Sequence, residues 1–189
     1  MAKTVLWVDC CVRGPQSRTA WLGEQYVKGR ASDQVICKKL YEKDWHPLDA
    51  SGIARREQLT GEQNLNHPLL KDAVEFAGAD QILFTAPYWD LSFPAVLKLY
   101  LENIAVAGIT FTYQDNRPVG LCNAQEAVYI TTAGGYTGEN LGFCYIQAMM
   151  KLFGIEKTRC IAAEGLDIEG ANVKQILRDT AASPEFLKA

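Results

Sequence analysis

The strongest constraint on the fold is the alternation of short apolar runs with amphipathic segments along most of the chain. Five runs are predicted as strands, at 4–8, 34–40, 81–85, 126–132 and 158–163. The intervening segments carry apolar residues at helical spacing and predict helices at 17–28, 67–77, 94–107, 141–153 and 167–182. Because such alternation joins strands by right-handed crossovers, we expect a parallel sheet with helices on both faces.

The number of strands narrows the topology. Five strands in one short domain favour the order 2-1-3-4-5, a three-layer α/β sandwich, over a six-stranded dinucleotide fold. The loop after the first strand also lacks a G-x-G-x-x-G motif. All of 1–189 is assigned to a single domain. Segment 41–66 is predicted to be irregular with a short helix at 53–59, and 109–123 to form a hairpin with a polar tip at 114–117.

Composition excludes several classes of function. A net charge of −3 gives no electrostatic basis for binding nucleic acid or anionic membranes. The N-terminal apolar stretch breaks at Asp9, and no window reaches the ~18 apolar residues of a membrane helix, so a cytoplasmic protein without membrane insertion is expected. The six cysteines form no C-x-x-C and only two histidines are present, so no metal site is expected. Cys10 and Cys11 are adjacent where the first strand ends, and either packing or redox chemistry could explain that pair.

The loop after the first strand has the composition of a phosphate site. It enters a predicted helix and offers backbone N–H groups, the hydroxyls of Ser17 and Thr19, and the cations Arg13 and Arg18. These groups suit a phosphate monoester at a helix N-terminus. The alternative is that Ser17 only caps its helix.

Two further loops follow the third and fourth strands. Segment 87–91 (PYWDL) can place backbone and aromatic groups along one face of a ring system, and segment 132–136 (TAGGY) offers amides that can approach a planar ligand closely. For an isoalloxazine, such amides would stabilise charge that develops on reduction. A plain Gly-Gly turn is the alternative for the second loop. Together the three loops predict a mononucleotide site at the carboxyl ends of strands.

These residues carry a family resemblance. The run 86–120 contains an AP-x-aromatic loop, the helix motif LKLYLE at 97–102 and the segment AGITFTY at 107–113, and the match continues to AGG at 133–135. The chain resembles the FMN-dependent NADH:quinone oxidoreductases and azoreductases of the flavodoxin-like superfamily. The resemblance implies a homodimer with FMN sites at or near the interface. It also implies ping-pong transfer from NAD(P)H to a quinone or another flat acceptor, such as an azo, nitro or flavin compound.

The resemblance also implies which residues bind FMN. Cys10 and Pro15 stand where the family has serines, and Asp90 where an asparagine is usual. The implied cofactor-binding residues are Cys10, Gln16, Ser17, Thr19 and, as an addition, Arg18 at the phosphate, with Pro87, Tyr88, Trp89, Asp90, Leu91, Thr132, Ala133, Gly134 and Gly135 at the ring.

The catalytic candidates are Tyr136 and Tyr113, although either ring could instead pack against the ligand or a partner subunit. Two other function classes remain open at this point. One is a flavodoxin-like electron carrier that binds FMN without a nicotinamide site. The other is a flavin-free binding or regulatory module on the same fold.

Overall fold

The computed structural model describes residues 2–187, and within them the chain alternates strands and helices as expected. The strands are β1 (Thr4–Asp9), β2 (Gln34–Lys39), β3 (Gln81–Thr85), β4 (Phe111–Gln114), β5 (Arg117–Gly120), β6 (Glu126–Thr132) and β7 (Thr158–Ala163). The α-helices are α1 (Arg18–Lys28), α2 (Ala50–Gly61), α3 (Lys71–Gly78), α4 (Ala95–Ile104), α5 (Leu141–Leu152), α6 (Val173–Ala181) and α7 (Pro184–Leu187).

The main sheet confirms the predicted topology. Its order is β2-β1-β3-β6-β7, which is 2-1-3-4-5 when the two hairpin strands are not counted, and every neighbouring pair is parallel. All side chains of β3 and β6 are buried, whereas β2 lies at an edge and is partly exposed. This explains why the central strands are continuous apolar runs and β2 is mixed.

Two apolar cores cover the faces of the sheet. One contains Leu6, Phe84 and Tyr100, with α3, α4 and α5 packed over it. The other contains Trp7 and Leu22 beneath α1 and α6. The carboxyl ends of β1, β3 and β6 therefore open between two rigid layers, which is the edge where ligands bind in open α/β sheets.

The hairpin is present as predicted, with β4 and β5 antiparallel around a tip whose central residues, Asp115 and Asn116, both have positive φ. Other boundaries differ. The short helix predicted at 53–59 is the longer α2, because Asp49 caps it upstream by accepting from the Gly52 N–H. The helix predicted from 167 begins only at Val173, since Gly170 at φ +79° separates the preceding turn from the Asn172 cap.

Within residues 2–187 no helix combines the length and the hydropathy that crossing a bilayer requires.

Candidate active site

The carboxyl edge of the sheet brings the three predicted loops around one cavity of about 230 Å³. The phosphate-type loop after β1 forms one wall, the loops after β3 and β6 form the floor and a second wall, and the segment after β7 closes one side. The lining residues are Cys11, Val12, Arg13, Gln16, Ser17, Arg18, Thr19, Pro87, Tyr88, Trp89, Thr132, Ala133, Gly134, Leu166 and Asp167.

Backbone donors converge at the start of α1. Ser17 is the N-cap, and its Oγ accepts from the Ala20 N–H at 3.2 Å. The N–H groups of Arg18 and Thr19 make no hydrogen bond within residues 2–187. They are the unpaired donors of a helix N-terminus, where the helix dipole favours negative charge, and both residues line the cavity. Ser17 therefore caps its helix and also lines the cavity.

Buried hydroxyls connect the loops of the site. Thr19 Oγ1 and Thr132 Oγ1 lie 2.6 Å apart and share one hydrogen bond between α1 and the end of β6. Below them, the Trp7 indole N–H donates to Thr85 Oγ1 at 2.8 Å, and Thr85 donates to Asp9 Oδ1 at 2.8 Å. The same carboxylate oxygen accepts from the Cys11 N–H at 3.0 Å, which orders the first residues of the phosphate-type loop.

The loop after β3 ends in a tight turn. Trp89 and Ser92 exchange two backbone hydrogen bonds, of 3.2 and 2.8 Å, and the residues between them, Asp90 and Leu91, have φ of 49° and 64°. Positive φ at both central positions is the pattern of a type I′ turn. Such a turn is unusual for leucine, and it leaves Trp89, which lines the cavity, 43% exposed and Leu91 65% exposed.

The loop after β6 presents backbone amides. The carbonyls of Gly134 and Gly135 accept from Asp167 and Gly165, at 2.9 and 3.0 Å. The N–H groups of these two glycines make no hydrogen bond among residues 2–187. A Cβ on Gly134 would lie 2.5 Å from Asp167 Oδ2, so glycine allows the carboxylate to rest directly on the loop.

One ion pair crosses the cavity. Arg18 donates from its Nη1 to Asp167 Oδ1 at 2.7 Å, joining the N-terminus of α1 to the segment after β7. Both side chains are well exposed, at 40% and 67%, so the pair itself contributes little to folding stability.

Comparison with known proteins agrees with this geometry. A family described as having a flavodoxin-like fold matches residues 3–183. An FMN-dependent NADH:quinone oxidoreductase of Clostridium perfringens (strain SM101) is 37% identical over 159 residues, covering 82% of this chain and 80% of the relative. One from Caldicellulosiruptor saccharolyticus is 33% identical over 196 residues, covering 98% and 97%. The chain belongs to this flavodoxin-like oxidoreductase family.

Solved structures show the same fold. The azoreductase from Bacillus anthracis (strain Sterne) superposes with a TM-score of 0.80, covers 95% of each chain and is 23% identical to this oxidoreductase. At that identity the likeness supports the fold alone, and the chemistry has to be argued from the site.

Ten of the fourteen cofactor residues expected in this oxidoreductase line the cavity; the other four, and both catalytic candidates, do not. Cys10 points into the core and is fully buried. Asp90 and Leu91 instead border a shallow neighbouring depression with Lys98 and Tyr145. Gly135 lies just beyond the lining, where its carbonyl holds Gly165.

The tyrosine candidates are both exposed. Tyr136 is 80% exposed, and its ring would lie 3.4 Å from a Cβ built on Gly165, beside the segment that closes the cavity. Tyr113 is 64% exposed on the hairpin and stacks edge to face on Phe111 with centroids 5.7 Å apart. Tyr113 therefore does not line the cavity.

The adjacent cysteines of this oxidoreductase are poor candidates for thiolate chemistry. Burial raises the pKa of Cys10 well above its usual value, and Cys11 and Asp9 raise it further. Burial and Asp9 also raise the pKa of Cys11 strongly. Both thiols are protonated at neutral pH, which favours the packing interpretation of the pair.

Sequence reasoning missed Leu166 and Asp167, which complete the cavity from the end of β7. The signal was present, because the motif EGLD follows the fifth predicted strand at the same edge of the sheet. The predicted last helix, 167–182, begins at Asp167, so that residue is interpreted there as helical, and Leu166 lies between the predicted strand and that helix.

Proposed function

We propose that this protein is an FMN-dependent oxidoreductase that transfers reducing equivalents from NADH, by a ping-pong mechanism, to a quinone or another flat acceptor such as an azo, nitro or flavin compound. One observation carries the proposal. The N–H groups at the start of α1, which are unpaired within residues 2–187, share a cavity with an exposed aromatic side chain and with Gly134, whose amide is likewise unpaired there. These are the donors for a phosphate and for the electron-rich edge of a ring.

The donor set fits FMN. The phosphate would be held by the backbone of Arg18 and Thr19, the Ser17 hydroxyl and the guanidinium groups of Arg13 and Arg18, whose residues all line the cavity. FMN, when bound, supplies hydride acceptance from a nicotinamide and electron transfer to an acceptor.

The chain's own residues supply orientation and electrostatics. Tyr88 and Trp89 present flat apolar surface beside the cavity, and Trp89 remains open to solvent for a second ring system. The N–H groups of Gly134 and Gly135 are preorganised donors for negative charge on a ring edge. We further propose that the Tyr136 ring contacts the acceptor from the closing segment.

A homodimer is part of the proposal. Trp89, Leu91, Tyr136 and Leu141 are large apolar side chains that are exposed around or near the cavity mouth, at 43%, 65%, 80% and 49%. A second copy that covers this surface would enclose the nicotinamide and acceptor position and could bring Tyr113 to it. A cytoplasmic location is also part of the proposal.

Visible absorption of the purified protein tests the cofactor. With FMN added, we expect a bound-flavin band near ~450 nm that bleaches when NADH is added anaerobically and returns with a quinone. Parallel lines in double-reciprocal plots would support the ping-pong order. Failure to bind FMN at saturation would refute the proposal. Bound flavin that NADH cannot reduce would indicate an electron carrier.

A matched pair of cap variants locates the phosphate. Ser17→Ala and Asn172→Ala each remove a helix N-cap, of α1 and α6 respectively. Each should cost about 1 kcal/mol of stability. Only Ser17→Ala should weaken FMN binding, by roughly tenfold, because it also removes a phosphate donor. Equal FMN affinity in the two variants would place the phosphate elsewhere.

A second matched pair of variants tests the oligomeric state. Leu91, in the depression beside the cavity, and Leu187 on α7 have similar exposure, 65% and 68%. Leu91→Glu should shift the mass measured by light scattering from dimer to monomer, and Leu187→Glu should leave it unchanged. A monomeric wild type, or a dimer that survives Leu91→Glu, would contradict the proposed interface.

A further inference from the structure

The charge balance of the cavity is unusual for a site that binds a dianion. Only three of its described lining residues are charged: Arg13, Arg18 and Asp167. Their sum is +1, whereas a phosphate monoester carries about −1.5 to −2 at neutral pH. One of the two cations, Arg18, is already engaged by Asp167 at 2.7 Å. The site therefore offers less positive charge than its two arginines suggest.

The position of Asp167 is fixed by the backbone rather than by Arg18. The N–H groups of Gly165, Leu166 and Asp167 donate to three successive residues of the loop after β6, at 3.0, 3.1 and 2.9 Å. Gly165, at φ +72°, allows the chain to turn there. The Asp167 carboxylate rests on Gly134, where a Cβ would be only 2.5 Å from Oδ2. The backbone of Asp167 would thus stay beside the cavity if Arg18 moved away.

Resting on the FMN site proposed above, we propose that Asp167 determines how strongly this site prefers phosphorylated over unphosphorylated flavin. Arg18 cannot give its full charge to the flavin phosphate while Asp167 holds it. Asp167 therefore lowers the affinity for FMN more than the affinity for riboflavin, which has no phosphate.

The exposure of the two side chains decides whether removing the Asp167 charge strengthens or weakens FMN binding. Arg18 and Asp167 are 40% and 67% exposed, so their mutual attraction is weak and preorganises Arg18 only slightly. Releasing Arg18 restores a charge-assisted donor for the phosphate, which is the larger effect. Removing the carboxylate's charge should therefore strengthen FMN binding.

Titration of flavin fluorescence against the apoprotein measures this preference as the ratio of the riboflavin Kd to the FMN Kd. Asp167→Asn keeps the size of the side chain and should raise the ratio by up to about fivefold, the upper end of the range for exposed charge pairs. Arg18→Gln should lower the ratio. In the Arg18→Gln background, Asp167→Asn should change the ratio less than about twofold, because there is no arginine left to release.

Glu169→Gln is the matched control, since it removes the same charge from an exposed neighbour that does not line the cavity. It should leave the ratio at the wild-type value. Three results would overturn the inference: an unchanged or lower ratio in Asp167→Asn, equal changes in both flavin affinities, or the same rise in Glu169→Gln. Absence of FMN binding in the wild type would instead refute the proposed function, so the two failures are distinguishable.

Discussion

Replacing Thr19 by valine tests whether one buried hydroxyl pair joins the two halves of the cavity. Thr19 is 1% exposed and Thr132 is 8% exposed, and their hydroxyls share one hydrogen bond of 2.6 Å. Valine has nearly the same shape, so little packing changes. The Thr132 hydroxyl, however, is left buried without this partner, which costs about 1–3 kcal/mol. For a chain of 189 residues, each kcal/mol lowers Tm by roughly 2–4 °C.

The double variant gives the decisive result. Thr132→Val alone should cost about as much as Thr19→Val, but the two together should cost clearly less than their sum, because no unpaired hydroxyl remains. Urea unfolding of the flavin-free protein, followed by tryptophan fluorescence, gives the four free energies of this cycle. Additive losses would show that the hydroxyls do not interact and would refute the reasoning.

Three further outcomes are expected. Gly120→Ala should destabilise the fold by roughly 1–3 kcal/mol in urea unfolding, because its Cβ would lie 2.0 Å from the Gly154 nitrogen; a wild-type midpoint would contradict this contact. Burial alone would raise the pKa of Asp72, but hydrogen bonds from Lys38 and a second lysine lower it. The stabilisation by its charge is therefore present above about pH 4 and is lost as pH falls through the lowered pKa of Asp72. Asp72→Asn should cost about 2 kcal/mol of unfolding free energy at pH 7 and should reduce the loss of stability at acidic pH. An unchanged dependence of stability on acidic pH would count against the pairing of Asp72 with the lysines. Tyr136→Phe should keep the rate of acceptor reduction, whereas Tyr136→Ala should raise the acceptor KM several-fold if the ring provides contact; a slow Tyr136→Phe enzyme would instead assign a role to the hydroxyl.

The sheet was predictable because buried parallel strands appear in the sequence as short apolar runs with well-defined ends. Segments 81–85, 126–132 and 158–163 agree with β3, β6 and β7 at both ends. Helix limits depend on caps and backbone turns, whose signals are weaker. The helix predicted from 167 begins in the structure at Val173, six residues further on, because the chain turns first at two glycines with positive φ, Gly165 and Gly170.

The site was partly predictable for the same topological reason. Loops that follow β1, β3 and β6 must meet at one edge, so Ser17, Trp89 and Gly134 could be brought together from their order in the sequence. Side-chain direction could not be read in this way. Cys10 and Cys11 are adjacent, yet one points into the core and the other lines the cavity. Asp167 reaches Arg18 across 149 positions of sequence, and no local pattern predicts that contact.

Two turns in this protein, the hairpin tip and the turn after β3, both have two consecutive residues with positive φ, but they use different residue types. The difference indicates function. The hairpin tip places Asp115 and Asn116 at φ of 49° and 60°, and both residue types adopt such values at little cost. The turn after β3 places Asp90 and Leu91 at 49° and 64°, although a glycine at the second position would be less strained. The strain is kept where a leucine is 65% exposed beside the cavity. Strained backbone that persists beside a candidate site points to contacts made there, so the proposed subunit interface is expected to pass through this turn.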